Sequence, residues 1–262
     1  MSIEKEKIEY IIFDPSKNIT ALVISDVKVG DFSIVSKKIM LENPKVEQVG
    51  FISFDDKSDI SLRMAGSEFC GNATMSAAVY YSIKNNLDDA KVKVNAYSIK
   101  DLIDVDIKKC GDIWEGTVRM PSANKVEDIT FMNNIKLPVV FFESIAHVII
   151  RDEIKKDDAT DLIKKFCDFL NVRAIGFIFV DNDMTNIRPL VYVKSVDTLF
   201  WENSCASGSS AVGAYKAHIS KNVINLSLQQ PGGAVLKVFT DEDNNLYLNG
   251  KVSFICKKML KI

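Results

Sequence analysis

Histidine is nearly missing from this 262-residue chain, which has only His147 and His218. Neither sits at metal-ligand spacing from a cysteine, and there is no Cys-x-x-Cys pair, so no metal site is expected. The five cysteines, at positions 70, 110, 167, 205 and 256, are odd in number and scattered, which argues against a disulfide framework. A surplus of one charge is also lacking. The chain has 33 basic and 35 acidic residues, a net charge of −2, and no basic stripe that would point to nucleic acid. Long apolar runs are absent: Leu137-Pro138-Val139-Val140-Phe141-Phe142 falls far short of the roughly eighteen residues of a membrane span. Met1 to Lys7 is mixed in charge and has no leader-like apolar core, so a soluble cytoplasmic protein is expected. No Schiff-base lysine motif is visible, and no cofactor is expected.

The chain does carry two echoing segments. Gly66-Ser67-Glu68-Phe69-Cys70-Gly71-Asn72-Ala73-Thr74 and Trp201-Glu202-Asn203-Ser204-Cys205-Ala206-Ser207-Gly208-Ser209 each place a cysteine before small residues. Both run into Ala-rich apolar stretches with a tyrosine at the same offset, Tyr80 and Tyr215. A cysteine at a helix start meets unpaired N–H groups and a partial positive charge, which favour a thiolate and can cradle an anion. The two segments lie nearly half the chain apart, the pattern of two similar halves facing one cleft. Cys110, Cys167 and Cys256 read instead as small buried or semi-buried hydrophobes.

A hydrophobic content of 47% supplies real cores. Period-two patterns predict strands at Ile8–Phe13, Thr20–Ser25, Gln48–Phe54 and Ile60–Met64, with a helix over Ser33–Leu41. The first cysteine-headed helix is predicted from Cys70 to Ile83. Strands follow at Lys91–Ala96, Leu102–Ile107 and Trp114–Arg119, and the boundary between halves is placed between Pro121 and Lys136. The second half repeats this order, with strands at Val139–Phe142 and His147–Ile150 and an amphipathic helix from Asp158 to Leu170. Further strands are predicted at Ala174–Val180 and Leu190–Lys194, then a helix from Cys205 to Ser220. Strands at Val223–Gln229, Ala234–Thr240, Leu246–Val252 and Ser253–Lys257 end the chain. The result is an α+β duplication: residues 1–124 carry Cys70 and residues 125–262 carry Cys205, with the last strand free to return to the N-terminal half.

These motifs resemble the diaminopimelate epimerase-like superfamily. The matching residues are Pro15-Ser16-Lys17-Asn18, Glu47-Gln48-Val49-Gly50, Cys70-Gly71-Asn72-Ala73, Cys205-Ala206-Ser207-Gly208 and Pro231-Gly232-Gly233. The resemblance implies two pseudo-symmetric halves, each a mixed or antiparallel sheet wrapped around a central helix. Diaminopimelate epimerase itself fits badly. Asn203 stands where those enzymes carry an Arg for the distal carboxylate, Ile145-Ala146-His147 lacks the Asn of their Asn-Pro-His segment, and Ala73-Thr74-Met75 lacks the usual Arg. The chain is more similar to the cofactor-independent histidine racemases, through both cysteine segments, Glu47-Gln48-Val49-Gly50-Phe51 and Gln230-Pro231-Gly232-Gly233.

That resemblance implies a racemase with Cys70 and Cys205 as exchangeable base and acid on opposite faces of the α-carbon. Backbone N–H groups of Gly71, Asn72, Ala206 and Ser207 would hold the α-carboxylate. Asn18, Glu47, Gln48, Glu202 and Asn203 are the remaining candidate substrate-binding residues, with Glu47 set against an imidazole or the α-ammonium. A homodimer acting on a free amino acid, histidine favoured, is expected. Three alternatives stay open at this point: a racemase of another amino acid, an isomerase or ring-hydrolysing member of the wider fold, and a non-catalytic amino-acid-binding protein.

Overall fold

The structure, a computed structural model, describes residues 7–131, 134–151 and 153–261. The chain begins with β1 (Lys7–Pro15), β2 (Thr20–Val23), α1 (Phe32–Glu42), β3 (Gln48–Ser53) and β4 (Ile60–Met64). Next come α2 (Gly71–Lys84), β5 (Asp89–Ala96), β6 (Ile103–Cys110) and β7 (Ile113–Arg119). The second half runs through β8 (Lys125–Phe131), β9 (Ile135–Phe141), β10 (Ala146–Ile150), α3 (Lys156–Leu170), β11 (Ala174–Val180), β12 (Ile187–Val193) and β13 (Thr198–Trp201). It ends with α4 (Ala206–Ser220), β14 (Asn225–Gln229), β15 (Val235–Thr240) and β16 (Leu246–Lys261).

Strands β1 to β7 lie side by side, and β16 pairs antiparallel with both β7 and β1, closing the row into an eight-stranded barrel. The parallel pairs β2–β3, β4–β5 and β10–β11 are bridged by α1, α2 and α3, because a parallel pair needs a crossover rather than a hairpin. α2 threads the barrel and packs against each of its strands. Every residue from Gly71 to Val79 is buried, so α2 carries no amphipathic stripe. α3 is the contrast. It covers the outside of the second sheet and buries one face, Ala159, Ile163, Phe166 and Cys167.

The α+β class holds, but the two halves are not equivalent. The second sheet has six strands in the order β13-β12-β11-β10-β9-β8, while β14 and β15 belong to the first sheet through β16. α4 is therefore not wrapped by one sheet. It lies between strands β8 to β11 on one side and β15 and β16 on the other. The predicted final pair of strands is one unbroken β16, whose residues 246–249 pair with β15, 247–252 with β7 and 252–261 with β1. Strands β8 and β13 were not predicted. Both are edges of the six-stranded sheet and only partly buried: charged residues interrupt β8, and β13 is only four residues long. Cys110 is a further correction: it is exposed at the end of β6, beside the positive-φ turn residue Gly111.

His147, on β10, is fully buried, and neither ring nitrogen has a hydrogen-bond partner. Burial alone drives its pKa down to about 3, so the ring stays neutral in the folded state. The unfolded chain takes up a proton below about pH 6.5, and stability therefore falls as the pH drops from there toward 3. Between pH 6.5 and 5 this costs about 2 kcal/mol at about 1.4 kcal/mol per pH unit. His147→Leu should lose about that much less than the parent chain over the same interval, as read by urea unfolding. Parallel losses in the two proteins would contradict the assignment.

Candidate active site

Cys70 and Cys205 are the N-caps of α2 and α4, with nearly identical backbones (φ −132°, ψ 107° and φ −131°, ψ 107°). Each sulfur accepts the N–H three residues on, Ala73 N at 3.4 Å and Gly208 N at 3.3 Å. The next N–H groups, of Thr74 and Ser209, are taken by the carbonyls of Cys70 and Cys205. The N–H groups of Gly71, Asn72, Ala206 and Ser207 are left for a ligand. The two helix starts nearly touch: a Cβ on Gly71 would lie 2.9 Å from the Cβ of Ala206. That approach is the packing reason for small residues after both cysteines. Asn72 ties the halves together by donating its side-chain N–H to the Ser204 carbonyl at 3.2 Å.

The helices open into a narrow, partly enclosed cleft. The first half contributes Glu47, Gln48, Glu68, Phe69, Cys70 and Asn72, with Ser36 and Met40 from α1. The second half contributes Val191, Val193, Thr198, Phe200, Glu202, Cys205, Ala206 and Ser207. The wall is thus built largely by the β12–β13 hairpin. Lys37, on the exposed side of α1, is the one basic residue of this lining among the described residues.

One hydrogen-bonded chain joins the first thiol to the candidate binding residues. Cys70 Sγ donates to Gln48 Oε1 at 2.5 Å, and Gln48 Nε2 donates to Asn18 Oδ1 at 2.7 Å and Glu202 Oε1 at 3.4 Å. Asn18 Nδ2 and Asn203 Nδ2 hold the two oxygens of Glu47 at 3.0 and 2.8 Å. The second thiol lies 3.6 Å from Ser207 Oγ and interacts with the Glu202 carboxyl, while Cys205 N donates to Gln230 Oε1 at 3.1 Å.

These groups sit in a field that disfavours anions. Burial pushes the Cys70 thiol well above its ordinary range, and the charges of Glu202 and Glu68 push it further, against the helix N–H groups. Cys205 is raised in the same way, by burial first and then by Glu202. This corrects the expectation of a depressed thiol pKa: burial beside carboxylates outweighs the helix N-terminus. Glu202 itself is pushed up to about 8, chiefly by burial and then by Glu47 and Glu68. Glu47 is also raised by burial, although Asn203 and Asn18 oppose the shift. No ion pair among the described residues involves Glu47, Glu68 or Glu202.

Cys70, Cys205, Glu47, Gln48, Asn72, Glu202, Ala206 and Ser207 line the cleft together. Asn18 is fully buried behind them and reaches the cleft only through Glu47 and Gln48. Asn203 stands outside the lining, with its carbonyl accepting Gly232 N at 2.8 Å, and Gly71 also lies outside it, with its Cα close to Ala206. Sequence reasoning passed over Glu68, although it lies in the first cysteine segment, and over Gln230, which the Gln-Pro-Gly-Gly run contains. It also did not assign the apolar wall of Val191, Val193 and Phe200 to the site: Val191 and Val193 lie on a strand that was predicted without a role, and β13, which carries Phe200, was not recognised. Two non-glycine residues with positive φ, Lys17 at 75° and Ser67 at 61°, set the turns that lead into Asn18 and Glu68.

Residues 7–258 match the family described as histidine racemase CntK N-terminal domain. A histidine racemase of Fusobacterium nucleatum is 31% identical over 273 aligned positions, covering 100% of this chain and 99% of the relative. A histidine racemase of Staphylococcus aureus is 30% identical over 246 positions, covering 89% of each chain. In fold the chain is similar to a probable proline racemase from Agrobacterium radiobacter, with a TM-score of 0.71 at 12% identity, covering 97% of this chain and 93% of that one.

Proposed function

The chain belongs to the histidine racemase family, and on that footing we propose that it interconverts L- and D-histidine by proton transfer between two thiols, without a cofactor. The observation that carries the mechanism is the pair of cysteine N-caps at helix starts that almost touch, each beside two uncommitted N–H groups. An α-carboxylate seated on the N–H groups of Gly71, Asn72, Ala206 and Ser207 gains most as the α-proton leaves and charge moves onto its oxygens. One donor of this kind is worth about 2.7–4 kcal/mol in comparable sites. The α-carbon then lies between the sulfurs. One thiolate removes the proton from one face, the other thiol returns a proton to the opposite face, and inversion follows.

The raised thiol pKa values make the free site a poor base, and the substrate corrects this. An α-ammonium entering beside Glu47 and Glu202 offsets the carboxylate charge that adds to burial in holding both thiols protonated. Glu202, in contact with Cys205 and bonded to Gln48, accepts the proton that a thiol must lose before it can act. Gln48 orients the Cys70 proton, and Asn18 and Asn203 hold Glu47 in place.

Among the described residues no basic side chain pairs with these carboxylates, and the one basic residue of the lining, Lys37, lies on the exposed side of α1. A second carboxylate on the substrate side chain, reaching the buried part of the cleft, would therefore be unpaired, at a cost of several kcal/mol. On protein dialysed against a chelator, kcat/KM should rank histidine first and diaminopimelate last among histidine, alanine, serine and diaminopimelate. Chiral analysis with α-deuterium detection in D2O measures it. Diaminopimelate in first place would overturn the substrate assignment and leave the thiol mechanism standing, whereas binding of histidine without α-exchange would point to a binding protein.

We further infer a cytoplasmic homodimer. Among the described residues no helix is long and apolar enough to cross a membrane. Phe254, Ile255 and Met259, exposed along the outer end of β16, give a second copy an apolar strip to cover. Sedimentation velocity checks the mass in solution.

A further inference from the structure

Three carboxylates line the cleft, and their surroundings differ. Glu47 has both oxygens held by asparagine N–H groups, and Glu202 is engaged by Gln48 and Cys205. Glu68 is different. The backbone N–H groups of Gly66 and Glu68 act on its carboxyl, yet its Oε2 is buried with no hydrogen-bond partner, and no cation pairs with it among the described residues. A buried carboxylate oxygen without a donor costs free energy, so a position that keeps one is waiting for a donor from outside.

The local chain is built to hold the carboxylate there. Ser67 adopts φ 61°, and Gly66 lets the Glu68 carboxyl lie flat on the backbone, since any side chain at 66 would collide with Glu68 Oε2 and Val193 Cγ1. Ser195 Oγ donates to the Gly66 carbonyl at 3.0 Å, fixing this turn against the second half. Val193 belongs to the apolar wall with Val191 and Phe200. The polar cluster of Gln48, Asn18, Glu47 and Glu202 is joined by its own hydrogen bonds, none of which includes Glu68. With an α-carboxylate on the helix starts, two substituents of the α-carbon remain to be placed. The polar cluster suits an ammonium with three donors. The region of Glu68 offers what a flat heteroaromatic ring needs, apolar walls for its faces and one free acceptor for an N–H at its edge.

We propose that Glu68, rather than the already partnered Glu47, is the residue that selects the side chain, by accepting an imidazole N–H on Oε2. The inference rests on the histidine reading above and deepens it. Glu68 touches the substrate at its ring and takes no part in moving the α-proton.

The test uses ligands that separate the substituents. Imidazolepropionate carries the carboxylate and the ring but no ammonium, and phenylpropionate replaces the ring with one that has no N–H. By titration calorimetry, Glu68→Leu should weaken imidazolepropionate about 10- to 100-fold, the range for a lost charge-assisted hydrogen bond, and change phenylpropionate by less than about threefold. Glu68→Gln, which keeps the shape and one acceptor oxygen, should fall between Glu68→Leu and the parent, and it guards against a variant that fails to fold. With histidine, the loss in Glu68→Gln should appear in KM more than in kcat. Equal weakening of both propionates, or unchanged imidazolepropionate binding in Glu68→Leu, would overturn the assignment. Histidine turnover by the parent protein is read separately, so failure of the histidine reading itself is seen before any variant is made.

Discussion

Cys70→Ser and Cys205→Ser should each lower kcat/KM for racemisation by about 10²–10⁴-fold or more, with the fold intact by circular dichroism. A hydroxyl is a far weaker acid than a thiol, and burial beside Glu202 and Glu68 raises even the thiol, so a serine alkoxide in the same field is out of reach. The loss should be asymmetric in one respect. Each variant keeps one thiol on one face of the α-carbon, so slow α-deuterium exchange from a single enantiomer should survive, and opposite enantiomers should respond in the two variants. Full racemisation by either variant would end the two-thiol mechanism. Exchange of both enantiomers in one variant would mean that a single group reaches both faces.

The second large effect belongs to Glu202. Its carboxyl titrates at about 8 in the unliganded site, held up by burial and by Glu47 and Glu68, and it contacts the Cys205 thiol. The ionised pair, one proton shared between sulfur and carboxyl, is the form that can act as base, and its titration belongs to the pair. The free-enzyme profile of kcat/KM should therefore climb about tenfold per pH unit below 8 and level off above it. Glu202→Gln should lose about 10²–10⁴-fold in kcat/KM and lose this limb as well. Stability should move the other way. A carboxyl whose pKa is raised on folding contributes stability below its unfolded pKa, near 4.5, and that contribution is lost as the pH rises through 8. The inactive Glu202→Gln protein should thus melt higher than the parent above pH 8. Retention of the limb in the variant would assign it to another group, and activity within threefold of the parent at pH 7 would remove Glu202 from the proton path.

The chemical identity of the site was legible because it is local. A cysteine before a run of small residues, repeated in Cys70-Gly71-Asn72-Ala73 and Cys205-Ala206-Ser207-Gly208, is readable without a fold, since N-capping is set by residues within one turn. The alternating strand Ile60–Met64 and the continuous apolar run Ala174–Val180 were readable for the same reason: each reports its burial through its own few residues. The edge strands β8 and β13 were not, because both are half-wetted, with charged residues breaking the pattern of β8 and only four residues in β13.

What sequence position could not decide is which neighbours a side chain meets across the chain. Val193 and Phe200 reach the cleft from far along the chain, Ser195 fixes the Gly66 turn, and together they turn Glu68 from one acid among many into a buried carboxylate whose Oε2 has no donor. The sign of the thiol shift was decided in the same way. A helix start by itself lowers a thiol pKa, whereas closure of the two halves buries the sulfurs beside carboxylates and raises it. The partition of strands between the sheets is also tertiary, because β16 pairs with β15 at one end and β1 at the other. Buried and open positions alternate only from Leu246 to Val252, and the pairing with β15, β7 and β1 fixes where the partner changes. The sequence by itself determined the two thiols and the helices that carry them, through interactions within a single turn. The tertiary structure decided their protonation and their surroundings, because desolvation and charge depend on every group the fold brings close.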